Sequence, residues 1–295
     1  MTPAIIRIGT VLAELGECPL WDERSGLLWF MDCRRGLIQR IDVDSGRVEA
    51  REVPAPAGSF AFNADGRLVV ALKEAVVLFD WDSGTIDSIA RIEDSHPNLR
   101  LNDGTALADG SFVVGTMHTF RAAGEAPLGG LYRVTPDRQL IKLDKGFGVV
   151  NGPKVSPLDG RLHVSDSAAR AIYRYTVRPD GRLADRQVFV DTEAFGSGPD
   201  GCCFDSDGGL WTALVHARAL ARFGPDGTLT DWIEVPLTYP SSLCFGGPDF
   251  DRLYVTSIRD SGRLKADGPL DGALLCVTGI AYRGFGSPLC RLGGR

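Results

Sequence analysis

The sequence has no apolar run approaching the roughly 20 residues that span a bilayer as a helix, which argues against a helical membrane protein. It has no Lys/Arg-rich stretch either, and its formal net charge is -6. Nucleic acid and anionic membrane surfaces are therefore not expected partners. Histidine is scarce, with four residues (His96, His118, His163 and His216). There is no G-x-S-x-G nucleophile elbow and no H-E-x-x-H zinc motif. The seven cysteines form an odd set without a C-x-x-C pair, so neither a zinc cluster nor a disulfide framework is indicated. They read as free, mostly buried thiols of a reducing compartment. The neighbours Cys202 and Cys203 are expected on opposite faces of a strand. The start, Met1 to Arg7, lacks the charged and apolar segments of a secretory signal, so a cytoplasmic location is expected.

What is abundant is Gly, at 36 residues, with 17 Pro, both spread among short apolar runs. Such a distribution points to an all-β chain with many tight turns. Six similar runs recur at intervals of about 40 to 50 residues: Leu28–Asp32, Leu68–Leu72, Phe112–Thr116, Leu162–Asp166, Leu210–Leu214 and Leu253–Ser257. Most follow an Asp-Gly turn (Asp65-Gly66, Asp109-Gly110, Asp159-Gly160, Asp207-Gly208). Gly accepts positive φ there, and Asp can bond the turn backbone. A second apolar run follows each. This unit has the period of a propeller blade, so the expected fold is all-β, a six-bladed β-propeller filling residues 1–295 as one domain. Ile5–Ile8 is expected to complete the sheet of the last blade. A β-sandwich with extra strands is the alternative, but sandwiches lack this period.

Three stretches each set an oxygen-bearing side chain beside Gly and Pro: Gly16-Glu17-Cys18-Pro19, Val150-Asn151-Gly152-Pro153 and Gly198-Pro199-Asp200-Gly201. Each reads by itself as an ordinary turn. At equivalent places in different blades they converge on the propeller axis, where two carboxylates and an amide carbonyl suit a hard divalent cation. In the extended segment Asn98–Gly104, Arg100 and Asn102 share a face and can hold a polyhydroxylated ligand or an oxyanion. Asp103 is expected to point away, into turn bonding. His118 ends a strand at the same mouth. His163, inside a strand, is expected to be packed.

These stretches carry a resemblance. Gly16–Trp21, Arg100–Gly104, Gly115-Thr116-Met117, Asn151-Gly152-Pro153, Pro199-Asp200-Gly201 and Leu210–Ala213 match, in order and across nearly the whole chain, the regucalcin/gluconolactonase family of senescence marker protein type. Gly115–His118, Asn151-Gly152-Pro153 and Cys244–Asp249 resemble most the bacterial pentonolactonase branch, such as xylonolactonases and arabinolactonases. The resemblance implies a six-bladed propeller and a metal-dependent sugar lactonase. It implies Glu17, Asn151 and Asp200 as ligands of one divalent metal ion (Ca²⁺, Zn²⁺, Mn²⁺, Mg²⁺ or Fe²⁺), with Asp200 also the catalytic base. Arg100 and Asn102 look like substrate-binding residues, with His118 added from its place beside them. The expected partner is a small-molecule sugar lactone. Two departures stand out. After Gly-Thr-Met, where animal members carry a substrate-binding Glu, no acid appears until Glu125. The family's Ser-Pro-Asp-Gly turn is lengthened to Ser156–Gly160.

The implied reaction is hydrolysis of an aldono-lactone, the metal polarising the ring carbonyl or acidifying water and Asp200 shuttling the proton. Two other functions fit the same motifs. One is a non-catalytic calcium-binding or interaction module. The other is an esterase or organophosphate hydrolase, which would want apolar walls where Arg100, Asn102 and His118 suggest polar ones.

Overall fold

The computed structural model describes residues 3–92 and 96–293. Its strands form six four-stranded antiparallel sheets. The chain begins with β1 (Ala4–Ile8) and then builds the first blade from β2 (Gly16–Asp22), β3 (Leu27–Asp32), β4 (Leu37–Ile41) and β5 (Val48–Glu52). The second blade is β6 (Ser59–Phe62), β7 (Leu68–Ala71), β8 (Ala75–Phe79) and β9 (Ile86–Arg91). The third is β10 (Leu99–Ala106), β11 (Phe112–His118), β12 (Gly129–Val134) and β13 (Leu140–Phe147). The fourth is β14 (Val150–Val155), β15 (Leu162–Asp166), β16 (Ala171–Val177) and β17 (Leu183–Asp191). The fifth is β18 (Pro199–Phe204), β19 (Leu210–Leu214), β20 (Ala219–Phe223) and β21 (Leu229–Glu234). The last is β22 (Pro240–Gly246), β23 (Arg252–Ser257) and β24 (Leu274–Thr278), with β1 as its outer strand. Ile5 pairs with Val277 there, so the first strand of the chain closes the ring.

The recurring runs are thus the second strand of each blade, and Asp-Gly turns precede most of them. The carboxylate accepts from the N–H two residues on, as Asp65 does from Arg67 (3.1 Å) and Asp109 from Ser111 (2.9 Å). Gly66 supplies the positive φ, +91°. Each sheet buries both faces against its neighbours. Among the described residues the core is six separate apolar wedges, one per blade interface. Between the first two blades, for example, Trp29 and Trp81 pack edge to face (4.7 Å) beside Phe60, Phe62 and Phe79. Cohesion in the wedges leaves the axis free for polar groups.

The inner strands β2, β6, β10, β14, β18 and β22 neighbour one another in that order and return to β2. After β24 the chain runs back across one end of the axis. Its backbone bonds Ser206 N to Arg283 O (2.8 Å) and Gly284 N to Phe250 O (2.8 Å), then Cys290 N to Phe62 O (2.9 Å) and Arg291 N to Gly110 O (2.8 Å). This strap joins the fifth and sixth blades to the second and third. None of the seven cysteines is disulfide-bonded, and all but Cys203 are buried. Cys202 packs into the wedge toward the fourth blade and Cys203 into the wedge toward the sixth. Among the described residues no helix is long and apolar enough to cross a membrane.

Candidate active site

Five of the six inner strands break register with their neighbour near their start. The shifts fall between Glu17 and Leu20, Leu101 and Gly104, Asn151 and Lys154, Pro199 and Cys202, and Pro240 and Ser242. Only β6 pairs without a shift. A bulge twists the strand and re-aims the side chains beside it. The sequence places Asn151-Gly152 and Pro199-Asp200-Gly201 in turns, but the structure places them inside bulged strands. Gly152 sits at φ +47°, where an added Cβ would lie 2.6 Å from Cys202 Sγ and 2.9 Å from Asp200 O. Only glycine fits the turn of backbone that swings Asn151 toward the axis.

The bulges bring Glu17, Arg100, Asn102, Asn151 and Asp200 into one chamber of about 300 Å³ at the end of the axis where the inner strands begin. Asn102 Nδ2 donates to Asn151 Oδ1 (2.6 Å) and to Val150 O (2.8 Å). Asn151 Nδ2 donates to Ser167 Oγ (2.8 Å), whose hydroxyl donates to Pro199 O (2.6 Å). This chain turns the Asn151 carbonyl inward. It also uses both hydrogens of the Asn102 amide, so Asn102 has only its oxygen left for a ligand.

Burial raises the Glu17 carboxyl well above the ordinary range, and the charges of Asp200 and Asp103 add to it. Burial likewise raises Asp200, with Asp103 adding. Asp200 Oδ1 is buried without a hydrogen-bond partner. Arg100 is lowered by burial, and its Nη1 donates to Leu101 O (2.9 Å). Half-buried Glu17 and buried Asp200, whose charges oppose each other and one of which has an orphaned oxygen, are unfavourable alone and suit a divalent cation. Among the described residues no group of three or more His, Cys, Asp or Glu could hold a metal. The set here has two carboxylates and an amide carbonyl, an all-oxygen set that fits a hard cation.

Asp103 points away from this set, as expected, but its bonding is not confined to its own turn. It is buried beneath this set and reaches into the next blade, accepting from Gly152 N (2.8 Å) as well as from Gly104 N (2.7 Å). His118 is not brought to the chamber. Arg100 pairs with Met117 across β10 and β11, so Met117 shares its face and lines the chamber. His118, one residue on, points the other way. Its ring is buried, 3.7 Å from Glu125 Oε1 and edge-on to His96. Neither ring nitrogen has a hydrogen-bond partner. His163 is packed as expected, against Phe189 (4.6 Å) and Phe204 (5.2 Å).

The chamber wall is less polar than Arg100 and Asn102 suggested. Leu15, Met117, Val149, Val215, Ile258 and Leu264 line much of it. Ser167, His216 and Arg263 also reach it and were not singled out from the sequence. They lie in loops without a motif, so no local signal marks them.

The profile of the family described as the SMP-30/Gluconolactonase/LRE-like region matches residues 15–259. A 6-deoxy-6-sulfogluconolactonase of Pseudomonas putida is 33% identical over 279 residues, 93% of this chain and 94% of that one. An L-arabinolactonase of Azospirillum brasilense is 34% identical over 273 residues, 90% of each chain. Among solved structures, a calcium-binding protein, regucalcin, from Agrobacterium tumefaciens superposes with a TM-score of 0.87 at 28% identity, covering 97% of both chains.

Proposed function

The chain belongs to the SMP-30/gluconolactonase/LRE-like family, and from that premise we propose that it is a metal-dependent sugar lactonase. It opens an aldono-lactone, with five or six carbons, to the sugar acid. The observation that carries this reading is the meeting of Glu17, Asn151 and Asp200 in one chamber beside Arg100 and Asn102. The names of two relatives, a sulfogluconolactonase and an L-arabinolactonase, support it.

Glu17, Asn151 and Asp200 would hold the ion, which when bound polarises the lactone carbonyl and makes the attacking water more acidic. Asp200 takes the proton of that water and passes it to the departing ring oxygen. The water oxygen bonds to the carbonyl carbon, the bond from that carbon to the ring oxygen breaks, and the ring oxygen leaves as a hydroxyl. The products are one sugar-acid carboxylate and one released proton. Arg100 is the donor placed to stabilise the developing oxyanion. Asn102 can only accept, so it orients a substrate hydroxyl and keeps the Asn151 carbonyl aimed inward. His118 has no part in this scheme, because its ring lies outside the chamber. The free thiols suit a reducing compartment, and we place the enzyme in the cytoplasm, which cell fractionation tests.

The apolar wall favours a second reading, an esterase acting on an ester with an apolar group. One experiment separates the two. Chelator-stripped protein is assayed for proton release from aldono-lactones and from aryl esters, with and without each divalent metal. Metal-restored opening of a sugar lactone well above the spontaneous rate supports the lactonase. Turnover of aryl esters alone supports the second reading. Metal binding by folded protein without any turnover overturns both and leaves a calcium-binding propeller.

A further inference from the structure

A hairpin from the last blade reaches over the chamber. It lies between β23 and β24, and its tip is Ser261-Gly262-Arg263-Leu264. Backbone bonds close it from Ser261 N to Leu264 O (2.9 Å) and from Ala266 N to Arg259 O (2.9 Å). Gly262 takes φ +86° and donates its N–H to Asp260 Oδ1 (2.7 Å). Asp260 is itself held by Arg34 and by Lys265 (3.5 Å). The tip is therefore braced, and Ser261, Arg263 and Leu264 are set against the chamber.

Arg263 is exposed, and its guanidinium makes no hydrogen bond or ion pair with any described residue. The nearest acid along the chain, Asp260, is committed to Arg34 and Lys265. Among the described residues the acids lining the chamber are Glu17 and Asp200. A divalent ion on the floor cancels those two. Arg100 and Arg263 then remain without a counter-charge, one near the floor and one at the rim. Hydrolysis supplies one negative charge, the new carboxylate of the sugar acid. An anionic group on the substrate would meet the other.

We propose that this chamber selects lactones that carry a second anionic group, a carboxylate, sulfonate or phosphate, remote from the ring carbonyl. Arg263 is the specificity-determining contact. Its planar fork suits two oxygens of such a group, and the braced hairpin fixes the backbone that carries it. The inference rests on the lactonase reading and names the substrate class for it.

The test compares kcat/KM for metal-loaded enzyme on a neutral hexonolactone and on three derivatives ending at C6 in phosphate, sulfonate or carboxylate. Wild type is expected to favour at least one anionic lactone by about tenfold or more, the size of a charge-assisted hydrogen bond. That preference should shrink as salt is raised from about 0.02 to about 0.5 M. In Arg263→Gln the anionic-to-neutral ratio should fall to near one. A wild-type ratio of one or less for all three, or a ratio unchanged in Arg263→Gln, overturns the inference and leaves the lactonase standing. Failure of folded, metal-loaded enzyme to open any of the four overturns both.

Discussion

Glu17 lines the chamber at one end of the propeller axis and Cys18 the chamber at the other. The same split separates Asn102 from Asp103, Asn151 from Lys154 and Asp200 from Cys202. Each of these bulged strands sends a ligand-type oxygen to one cavity and a thiol, an ammonium or an already hydrogen-bonded carboxylate to the other. The second chamber, about 240 Å³, is walled by Leu20, Leu107, Val155 and Phe245 and crossed by the strap at Phe285–Pro288. Burial pushes its thiols up, Cys18 to about 12 and Cys202 to about 11, so they are protonated packing groups. Cys18 donates to Phe60 O (3.3 Å), and Lys154 Nζ donates to Thr105 Oγ1 (3.3 Å). One end of the axis thus collects uncompensated oxygens at an open mouth. The other satisfies its polar groups internally and is roofed by the chain's own tail. Unsatisfied chemistry, more than cavity size, distinguishes the candidate site.

Four substitutions can break or sharpen this contrast. Asp200→Ala removes a proposed ligand and the proposed base. We predict a loss of lactone opening of at least about a hundredfold to ten-thousandfold, with circular dichroism unchanged; full activity in that variant sinks the assignment.

The second concerns His163, which pairs with Lys154 beside the closed chamber. Burial holds its imidazole down at about 4 against an ordinary 6.5, with the Arg161 carbonyl acting weakly the other way. Because the folded pKa is depressed, the unfolded chain binds the extra proton between those values. Stability is therefore complete above about pH 6.5 and is lost as pH falls toward 4, by about 3 kcal/mol at most. Urea midpoints of wild type and His163→Phe at pH 7 and pH 5 check this. An equal fall in both proteins removes His163 as the cause.

Asp103→Asn comes third. Asp103 serves two backbone N–H groups, and an amide oxygen can serve only one of them well. The Gly152 turn should loosen and metal affinity fall by about tenfold to a hundredfold, as for other groups that orient ligands. Calorimetric titration of chelator-stripped protein reads the effect, and a wild-type Kd in the variant refutes it. The smallest effect belongs to the closed chamber. Cys244→Ala should cost about 1 kcal/mol of stability and leave kcat/KM within about twofold. A large loss of activity would mean that the two chambers are not separable in this way.

Much of the fold is legible in the linear sequence because a blade is a local object. Runs such as Leu162–Asp166 and turns such as Asp65-Gly66 are set by alternation and by positive φ within a few residues. The closing of the last blade by Ile5–Ile8 follows once the count of strands is known. The candidate ligands were legible for a different reason, since Glu17, Asn151 and Asp200 stand at like places in the first, fourth and fifth blades. Their local conformation was not legible, because Asn-Gly and Pro-Asp-Gly favour turns and only the neighbouring strand forces a bulge.

By itself the sequence determined the repeat, the turns, the thiol chemistry and which oxygens were candidates, since these depend on neighbours along the chain. The ring decided the rest. It set Asp103 under the next blade, spent both Asn102 hydrogens, and turned His118 away by one residue of alternation. It also brought Arg263 and Glu17, far apart in the chain, to the same cavity. Such contacts depend on how six sheets meet around one axis, and no stretch of local sequence carries that closure.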